Sequence, residues 1–316
     1  MDLQNANTPR WNDYSTYIKD NFFVRVQKIS VNGGFTCPNR DKTIGTGGCI
    51  YCLNESFSPF YCSPNVSITE QLNKGIEFFG KKYKAQKYLA YFQTFTNTYA
   101  DIETLKKLYY EALNVDNVIG LVIATRPDCI NEEILELLAE IAESKYVSIE
   151  FGAESTNDRT LKLINRGHNY QQTVDAVNLT NKYNLNCGLH LIIGLPGENE
   201  SDFYTHAEHI SELPIKTLKI HQMQILKSTE LEKLYNSCPD LFVDLDIKNY
   251  IRIIINFLEI LNPEIIIERF TSESPKHLLI YPNWNGKKNF EISHMVNSEM
   301  IKINSFQGKR YKNGAF

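Results

Sequence analysis

Strand and helix alternate six times between residues 23 and 222, and that order leaves few architectures open. Residues 23–31, FVRVQKISV, alternate apolar and polar as a strand does. The capping box formed by Ser67 and Glu70 opens a helix expected to run to about Tyr83. KYLAYFQ at 87–93 is the second strand, and Asp101 caps a helix that sets Ile102, Leu105, Leu108, Tyr109 and Ala112 on one face. VIGLVIA at 118–124 is apolar almost throughout, as expected of a strand covered on both sides. Asn131 caps the next helix, with Glu132 and Glu133 at its positive end. Residues 146–151 form a fourth strand, 156–184 are helix-rich, 189–193 are the heart of a fifth strand, a helix follows near 200–212, and 217–222 are a sixth strand. Such an order predicts a parallel α/β sheet with right-handed crossovers, a partial (βα)6 TIM-like barrel.

Every one of these strands ends in polar or glycine residues: a cysteine loop, then 94–98 (TFTNT), 125–128 (TRPD), 152–155 (GAES), 194–198 (GLPGE) and His221-Gln222. Strand C-termini share one face of such a barrel, the face on which active sites are built. One polar residue at a strand end is commonly a helix cap. Six in succession point to a site.

The loop after the first strand is the most unusual stretch. In SVNGGFTCPNRDKTIGTGGCIYC (30–52), Cys37, Cys49 and Cys52 form a C-x11-C-x2-C pattern set among five glycines. A polar, glycine-rich, cysteine-bearing loop is poor core material and suits wrapping around an inorganic group. Structural zinc asks for four protein ligands, and an iron–sulfur cluster usually asks for four cysteines. Three clustered cysteines therefore suggest a cluster with one iron left open to chelate a small molecule. Two alternatives stand beside this: a zinc site completed by Cys62 or a histidine, and three ordinary buried cysteines.

Composition places the chain among soluble globular proteins. It has 42% hydrophobic and 22% charged residues, no apolar run of about 18 residues, and an N-terminus without basic and apolar signal regions. Seven cysteines, an odd number, suit a reducing cytoplasm, and no membrane association is expected. A net charge of −4 carries no overall bias toward nucleic acid. Local basic groups exist at Lys81, Lys82, Lys84 and Lys87, at Lys287 and Lys288, and at Lys309, Arg310 and Lys312. The last third reads differently: Asp246 caps a long helix to about Leu261, 264–270 read as a strand, and 298–304 sit in a terminal helix. We expect three regions: an N-terminal extension (1–22), a core barrel (23–235) with its cluster loop at 32–52, and a C-terminal extension (236–316) covering the barrel edge or mouth.

Together these residues resemble the radical S-adenosylmethionine (SAM) superfamily, whose partial barrels hold a 4Fe-4S cluster on three cysteines. The long first gap departs from that superfamily's usual C-x3-C-x2-C and is similar to the branch related to the catalytic subunit of Elongator. Within it, GGFTCPNRD, GGCIYC, TNTYA, ATRPD, FGAES, NRGHNY, GLPGE and QGKRY resemble the YhcC/YtqA (MnmL)-type proteins over nearly the whole chain. Lys42 stands where that type usually has glycine. The resemblance implies reductive cleavage of SAM to a 5′-deoxyadenosyl radical. It implies modification of tRNA wobble uridine, converting 5-carboxymethylaminomethyl-uridine to 5-aminomethyl-uridine, and an electron donor such as flavodoxin or ferredoxin. By the same resemblance Cys37, Cys49 and Cys52 hold the cluster. Tyr51, Asn97, Glu154, Arg166, His190, Gly194 and Gly197 bind SAM, Arg166 through the SAM carboxylate. Arg126 and Asp128 face substrate or pair with each other. Trp284, Lys287, Lys288, Lys309, Arg310 and Lys312 are expected at the barrel mouth as an RNA surface, with packing of the C-terminal extension onto the barrel as the alternative role for Trp284. A radical SAM enzyme with another substrate and a zinc-stabilised RNA-binding protein remain the alternatives.

Overall fold

The computed structural model describes residues 8–53, 58–81 and 86–312. Its elements run α1 (Tyr14–Phe22), β1 (Arg25–Val31), α2 (Ile68–Gly80), β2 (Gln86–Phe92), α3 (Ile102–Leu113), β3 (Val118–Thr125), α4 (Glu132–Ala142), β4 (Tyr146–Glu154), α5 (Asp158–Leu163), α6 (Tyr170–Lys182), β5 (Asn186–Ile193), α7 (Glu200–Ser211), β6 (Thr217–Gln222), β7 (Ile225–Leu226), α8 (Glu230–Ser237), α9 (Ile247–Ile260), β8 (Ile266–Arg269), β9 (Leu279–Tyr281) and α10 (Asn289–Lys302). Seven strands pair in parallel in the order β1-β2-β3-β4-β5-β6-β8, a curled half-barrel. The six expected strands are joined by β8, because the strand foreseen at 264–270 adds to β6 at the sheet edge.

The caps read from sequence are in place: the side chains of Ser67, Asp101, Asn131 and Asp246 each accept a backbone N–H of the following turn. Several boundaries move. Phe23 takes φ 55° as the C-cap of α1, so the first strand starts at Arg25. α2 closes at Gly80, and its expected end at Tyr83, with Lys82 and Lys84, lies outside the described residues. The stretch 156–184 is two helices, and the terminal helix starts nine residues earlier than expected, at Asn289.

Alternation along the strands separates two environments. Ile29, Val31, Phe92, Leu121, Ile123, Ile149, Phe151, Leu189, Leu191, Leu218 and Ile220 face the helices and form the main core. The other set faces the barrel lumen. It is apolar at Leu89, Tyr91, Val122 and Ala124 on β2 and β3. On β1, β4, β5, β6 and β8 it is charged or polar: Lys28, Glu150, His190, Lys219 and Glu268 meet there. Lys28 of β1 reaches Glu150 of β4 at 2.9 Å and Glu268 of β8 at 2.6 Å, so the two sheet edges face each other across the lumen. α1 stops the strand N-terminal end: Phe22 packs edge-on to Tyr146 at the start of β4, and Lys216, just before β6, lies over the Tyr17 ring. The opposite, C-terminal end remains accessible.

Candidate active site

The eleven residues between Cys37 and Cys49 fold back on themselves. The N–H groups of Arg40 and Asp41 donate to the Cys37 carbonyl, those of Ile44 and Gly45 to Pro38, and that of Gly48 to Asn39. The long gap thus closes as a compact loop that returns Cys49 to the neighbourhood of Cys37. Gly48, at φ 80°, has the Arg40 side chain 2.8 Å from where a Cβ would stand. Lys42 also takes a left-handed φ, 77°. This explains why glycine suits that position. Lys42→Gly is expected to raise stability by up to ~1 kcal/mol, seen as a higher urea midpoint. A lowered midpoint would show that the Lys42 side chain contributes more than the strain removes.

A second segment locks this loop. Asn39 Nδ2 donates to the Asn165 carbonyl at 2.6 Å, and Asn165 Nδ2 returns a bond to the Gly48 carbonyl at 2.8 Å. The Ile50 N–H donates to Ile164 at 3.0 Å. Arg166, next in sequence, is thereby delivered beside the cysteines: its Nη1 stands 3.6 Å from Cys49 Sγ, its Nη2 donates to the Gly152 carbonyl at 2.5 Å, and Glu154 lies 3.5 Å away. A side chain at Gly152 would strike both Arg166 and Glu154, at 2.6 and 2.5 Å. Burial works against the Arg166 charge, but Tyr51, Cys49 and Glu154 hold the guanidinium firmly protonated.

These groups line one cavity of about 270 Å³ at the C-terminal ends of the strands. Cys37, Arg40, Cys49, Tyr51 and Cys52 form one wall, and Arg126, Glu154, Arg166 and His190 extend it. Gln222, Gln224, Arg269 and Ser272–Ser274 form the other. Arg126 is paired with Asp128 through two bonds of 2.8 and 2.7 Å and donates to the Arg166 carbonyl. Pairing with each other was one of the two roles expected of them. Below the cavity lies the lumen layer. Glu150 accepts from Lys28 at 2.9 Å, Lys219 at 2.5 Å and His190 at 3.0 Å. Burial alone would raise the Glu150 carboxyl, but Lys219 and Lys28 outweigh it and hold it well below the usual range. His221 is kept neutral by burial and the nearby Arg269 charge.

The donor set suits a cluster. Three thiols share the cavity, with the Arg166 and Arg40 cations beside them to balance thiolates. The buried Arg166 Nε has no partner. Among the described residues no three His, Cys, Asp or Glu side chains converge on one ion position. Cys62, the suggested fourth zinc ligand, lines no part of the cavity. Its Sγ donates to the Ser30 carbonyl at 3.0 Å, and burial pushes its thiol up to about 12.

Several expected site residues lie elsewhere. Asn97 is fully buried, donates its Nδ2 to the Ala124 carbonyl at 2.8 Å and so holds the turn after β2 to β3, and its Oδ1 has no partner; Thr96, beside it, lines the cavity. Gly194 and Gly197 do not line the cavity; they supply left-handed turns, at φ 94° and 80°, with Leu245 filling the space beside Gly194. Trp284 is no open stacking face. It is buried, donates Nε1–H to the Leu245 carbonyl at 2.9 Å and packs on Tyr250 at 4.8 Å. Lys309 and Arg310 pair with Glu259 near the end of α9, and Gln307 bonds the carbonyls of Asn262 and Ile265 ahead of β8. This tail, which continues to Lys312, therefore packs at the strand N-terminal end, opposite the mouth. Lys288 alone of the basic candidates touches the rim, 3.9 Å from the cavity-lining Glu273, with Lys287 beside it.

Residues that the sequence did not single out complete the site: Asn39, Arg40 and Asn165 in the loop clasp, and Lys28, Glu150, Lys219, Glu268 and Arg269 in the lumen. For Glu150 a signal exists. SIEFGAE sets polar or small residues at alternate positions in a strand whose other residues are apolar. A solvated edge strand would look the same.

Comparisons with known proteins agree with this geometry. Residues 37–210 match the family described as "Radical SAM superfamily", and 215–302 match "Radical_SAM C-terminal domain". The chain is similar to the uncharacterized protein YtqA of Bacillus subtilis, 34% identical over 303 residues, covering 96% of this chain and 93% of that one. It is also similar to YhcC of Escherichia coli K12, 33% identical over 261 residues and 82% of each. Among solved structures it resembles archaeal Methanocaldococcus infernus Elp3 lacking residues 1–46, with TM-score 0.68 at 18% identity, covering 90% of this chain and 64% of that one. Among the described residues no helix is long and apolar enough to cross a membrane. The chain therefore belongs to the radical SAM superfamily, as an α/β half-barrel enzyme that uses S-adenosylmethionine and a 4Fe-4S cluster.

Proposed function

We propose that this radical SAM enzyme modifies the wobble uridine of tRNA, converting 5-carboxymethylaminomethyl-uridine to 5-aminomethyl-uridine in the cytoplasm. The observation that carries the reading is the single cavity that joins the three-cysteine wall to a wall of hydrogen-bonding side chains, Gln222, Gln224, Ser272 and Ser274, at the open end of the barrel. A uridine edge needs such donors and acceptors. The wobble base would have to leave its stack to reach them. The resemblance to YtqA-type proteins supports the same substrate. So does a tRNA uridine(34) acetyltransferase of Methanocaldococcus infernus, 27% identical over 124 residues, 37% of this chain.

When bound, the cluster and SAM supply the hydrogen-abstracting chemistry, with electrons from a flavodoxin- or ferredoxin-type donor. The chain's own part is placement. Cys37, Cys49 and Cys52 would hold the cluster, with the Arg166 guanidinium 3.6 Å from Cys49 Sγ, and Glu154, Tyr51 and His190 line the same cavity. The clasp between Gln222 and Ser272, with bonds of 3.0 and 2.9 Å in both directions, keeps the covering segment in place.

Nucleoside analysis of tRNA from a deletion strain tests the reading. Accumulation of 5-carboxymethylaminomethyl-uridine at the expense of 5-aminomethyl-uridine is expected, and an unchanged nucleoside profile would refute it. The structure also divides the basic candidates. Lys287→Ala with Lys288→Ala should weaken tRNA binding severalfold and lower its salt dependence. Lys309→Ala, Arg310→Ala and Lys312→Ala together should leave that affinity unchanged, because they stand at the far end of the barrel. The reverse pattern in a filter-binding titration would place the RNA on the other face.

A further inference from the structure

Charges in the cavity and lumen balance almost completely. Glu150 and Glu268 share Lys28 and Lys219, Glu154 lies against Arg166, and Asp128 is doubly bonded to Arg126. Two cations of the cavity lining are the exceptions among the described residues: Arg40, which donates to the Cys52 carbonyl at 2.9 Å beside the cysteines, and Arg269, at the end of β8. No carboxylate among the described residues pairs with it. Its Nη2 stands 3.5 Å from the ring Nε2 of His221, the outer limit of a hydrogen bond, and its buried Nε has no partner at all. A guanidinium whose Nε–H is removed from both water and protein is costly and calls for a partner; Arg166 shares that orphaned Nε but has the Glu154 carboxylate at 3.5 Å, which Arg269 lacks. His221 is uncharged and cannot supply the anion. The nearby Glu273 lines the rim but is half exposed and faces Lys288.

We propose that Arg269 is the substrate anchor: its guanidinium receives the carboxylate of the carboxymethylamino group, pairing with it as a two-pronged donor. This rests on the substrate reading above. It adds the group on which recognition turns. Bidentate guanidinium–carboxylate pairing discriminates strongly in a desolvated site. The reaction takes off the whole carboxymethyl group: loss of a hydrogen atom to the SAM-derived radical and of one electron, returned to the cluster, would turn its N–CH2 bond into an imine that water splits into the amine and a two-carbon oxo acid. The same residue therefore distinguishes substrate from product, because 5-aminomethyl-uridine offers Arg269 no anion and should leave.

The test compares binding to the reconstituted, SAM-loaded protein of two anticodon stem-loops. One carries 5-carboxymethylaminomethyl-uridine and the other its methyl ester, which has the same shape without the charge. The native protein should bind the acid tighter than the ester by on the order of tenfold to a hundredfold. Arg269→Gln should bind both at the ester's level, and Arg269→Lys should recover part of the difference, since it keeps the charge without the fork. The SAM dissociation constant should stay the same in all three proteins. Equal affinity of the native protein for acid and ester overturns the inference while leaving the tRNA reading intact. A weakened SAM affinity in Arg269→Gln also overturns it, by giving Arg269 to the cofactor carboxylate.

A second titration, with N-methylglycine and with inorganic phosphate, separates the two proposals. N-methylglycine bound more weakly by Arg269→Gln than by the native protein supports the anchor even if no stem-loop binds, in which case the tRNA reading alone fails. Phosphate bound in an Arg269-dependent way without N-methylglycine assigns the residue to a phosphate and overturns the carboxylate anchor. If neither anion distinguishes Arg269→Gln from the native protein, the anchor is overturned.

Discussion

Cys37→Ala, Cys49→Ala or Cys52→Ala, each made singly, should reduce SAM cleavage to the limit of detection and strip most iron and sulfide from the reconstituted protein. All three cysteines line the same cavity, and no other cysteine among the described residues lines it. Cys62→Ala should keep its iron, because that thiol is outside the cavity, bonded to the Ser30 carbonyl and protonated at neutral pH. Cys129, whose thiol burial pushes up to about 12, and Cys187, fully enclosed behind the sheet, should behave likewise. Iron quantification beside the cluster absorption band decides the matter. If Cys62→Ala loses iron as Cys52→Ala does, the three-ligand arrangement is wrong, whatever the activities show.

The largest effect on stability is expected in the lumen layer beneath the cysteines. Glu150→Gln leaves the buried Lys219 and the partly buried Lys28 ammonium groups with half of their compensation. Removing one partner from a buried ionic network typically costs ~3–5 kcal/mol, here a fall in melting temperature of roughly 10 °C. Combining it with Lys219→Met should recover part of the loss, since fewer ammonium groups then remain unpaired. The pH dependence has a definite sign. The Glu150 carboxyl is held well below its usual range in the folded state, so its contribution is fully present above the ordinary carboxyl value of about 4.3. It is lost as pH falls from there toward the folded value. Native protein should therefore weaken on acidification through that window, and Glu150→Gln should show a shallower decline. A denaturation midpoint for Glu150→Gln within ~0.5 kcal/mol of native would show that water already relieves these charges.

Much of the architecture was readable because it is encoded locally. The Ser67, Asp101, Asn131 and Asp246 caps involve residues two or three positions apart, and the apolar runs of β2 and β3 report burial on both faces. The C-x11-C-x2-C pattern marked the cysteine wall for the same reason. What failed to read through was assigned by motif or composition alone. Asn97 lies in a telling motif, yet its Nδ2 holds the β3 backbone and the residue is fully buried, with only its Oδ1 left unpartnered. Trp284 sits in a polar, proline-interrupted stretch that left base stacking and packing both open, and its ring is buried against Tyr250.

By itself the sequence determined the alternation of strand and helix, the polar character of the strand C-termini, and the three cysteines in their glycine loop. These follow from short-range periodicity, capping and covalent spacing. Only the tertiary structure decided which strand face looks into the lumen. That depends on how far the sheet curls, which brings Lys28, Glu150, Lys219 and Glu268 from four strands into one layer. Only the tertiary structure placed the Lys309–Arg310 tail at the closed end, since packing on α9 at Glu259 joins residues about fifty positions apart. And only it left Arg269 without a carboxylate, because a missing partner shows only once every neighbouring side chain has been set in place.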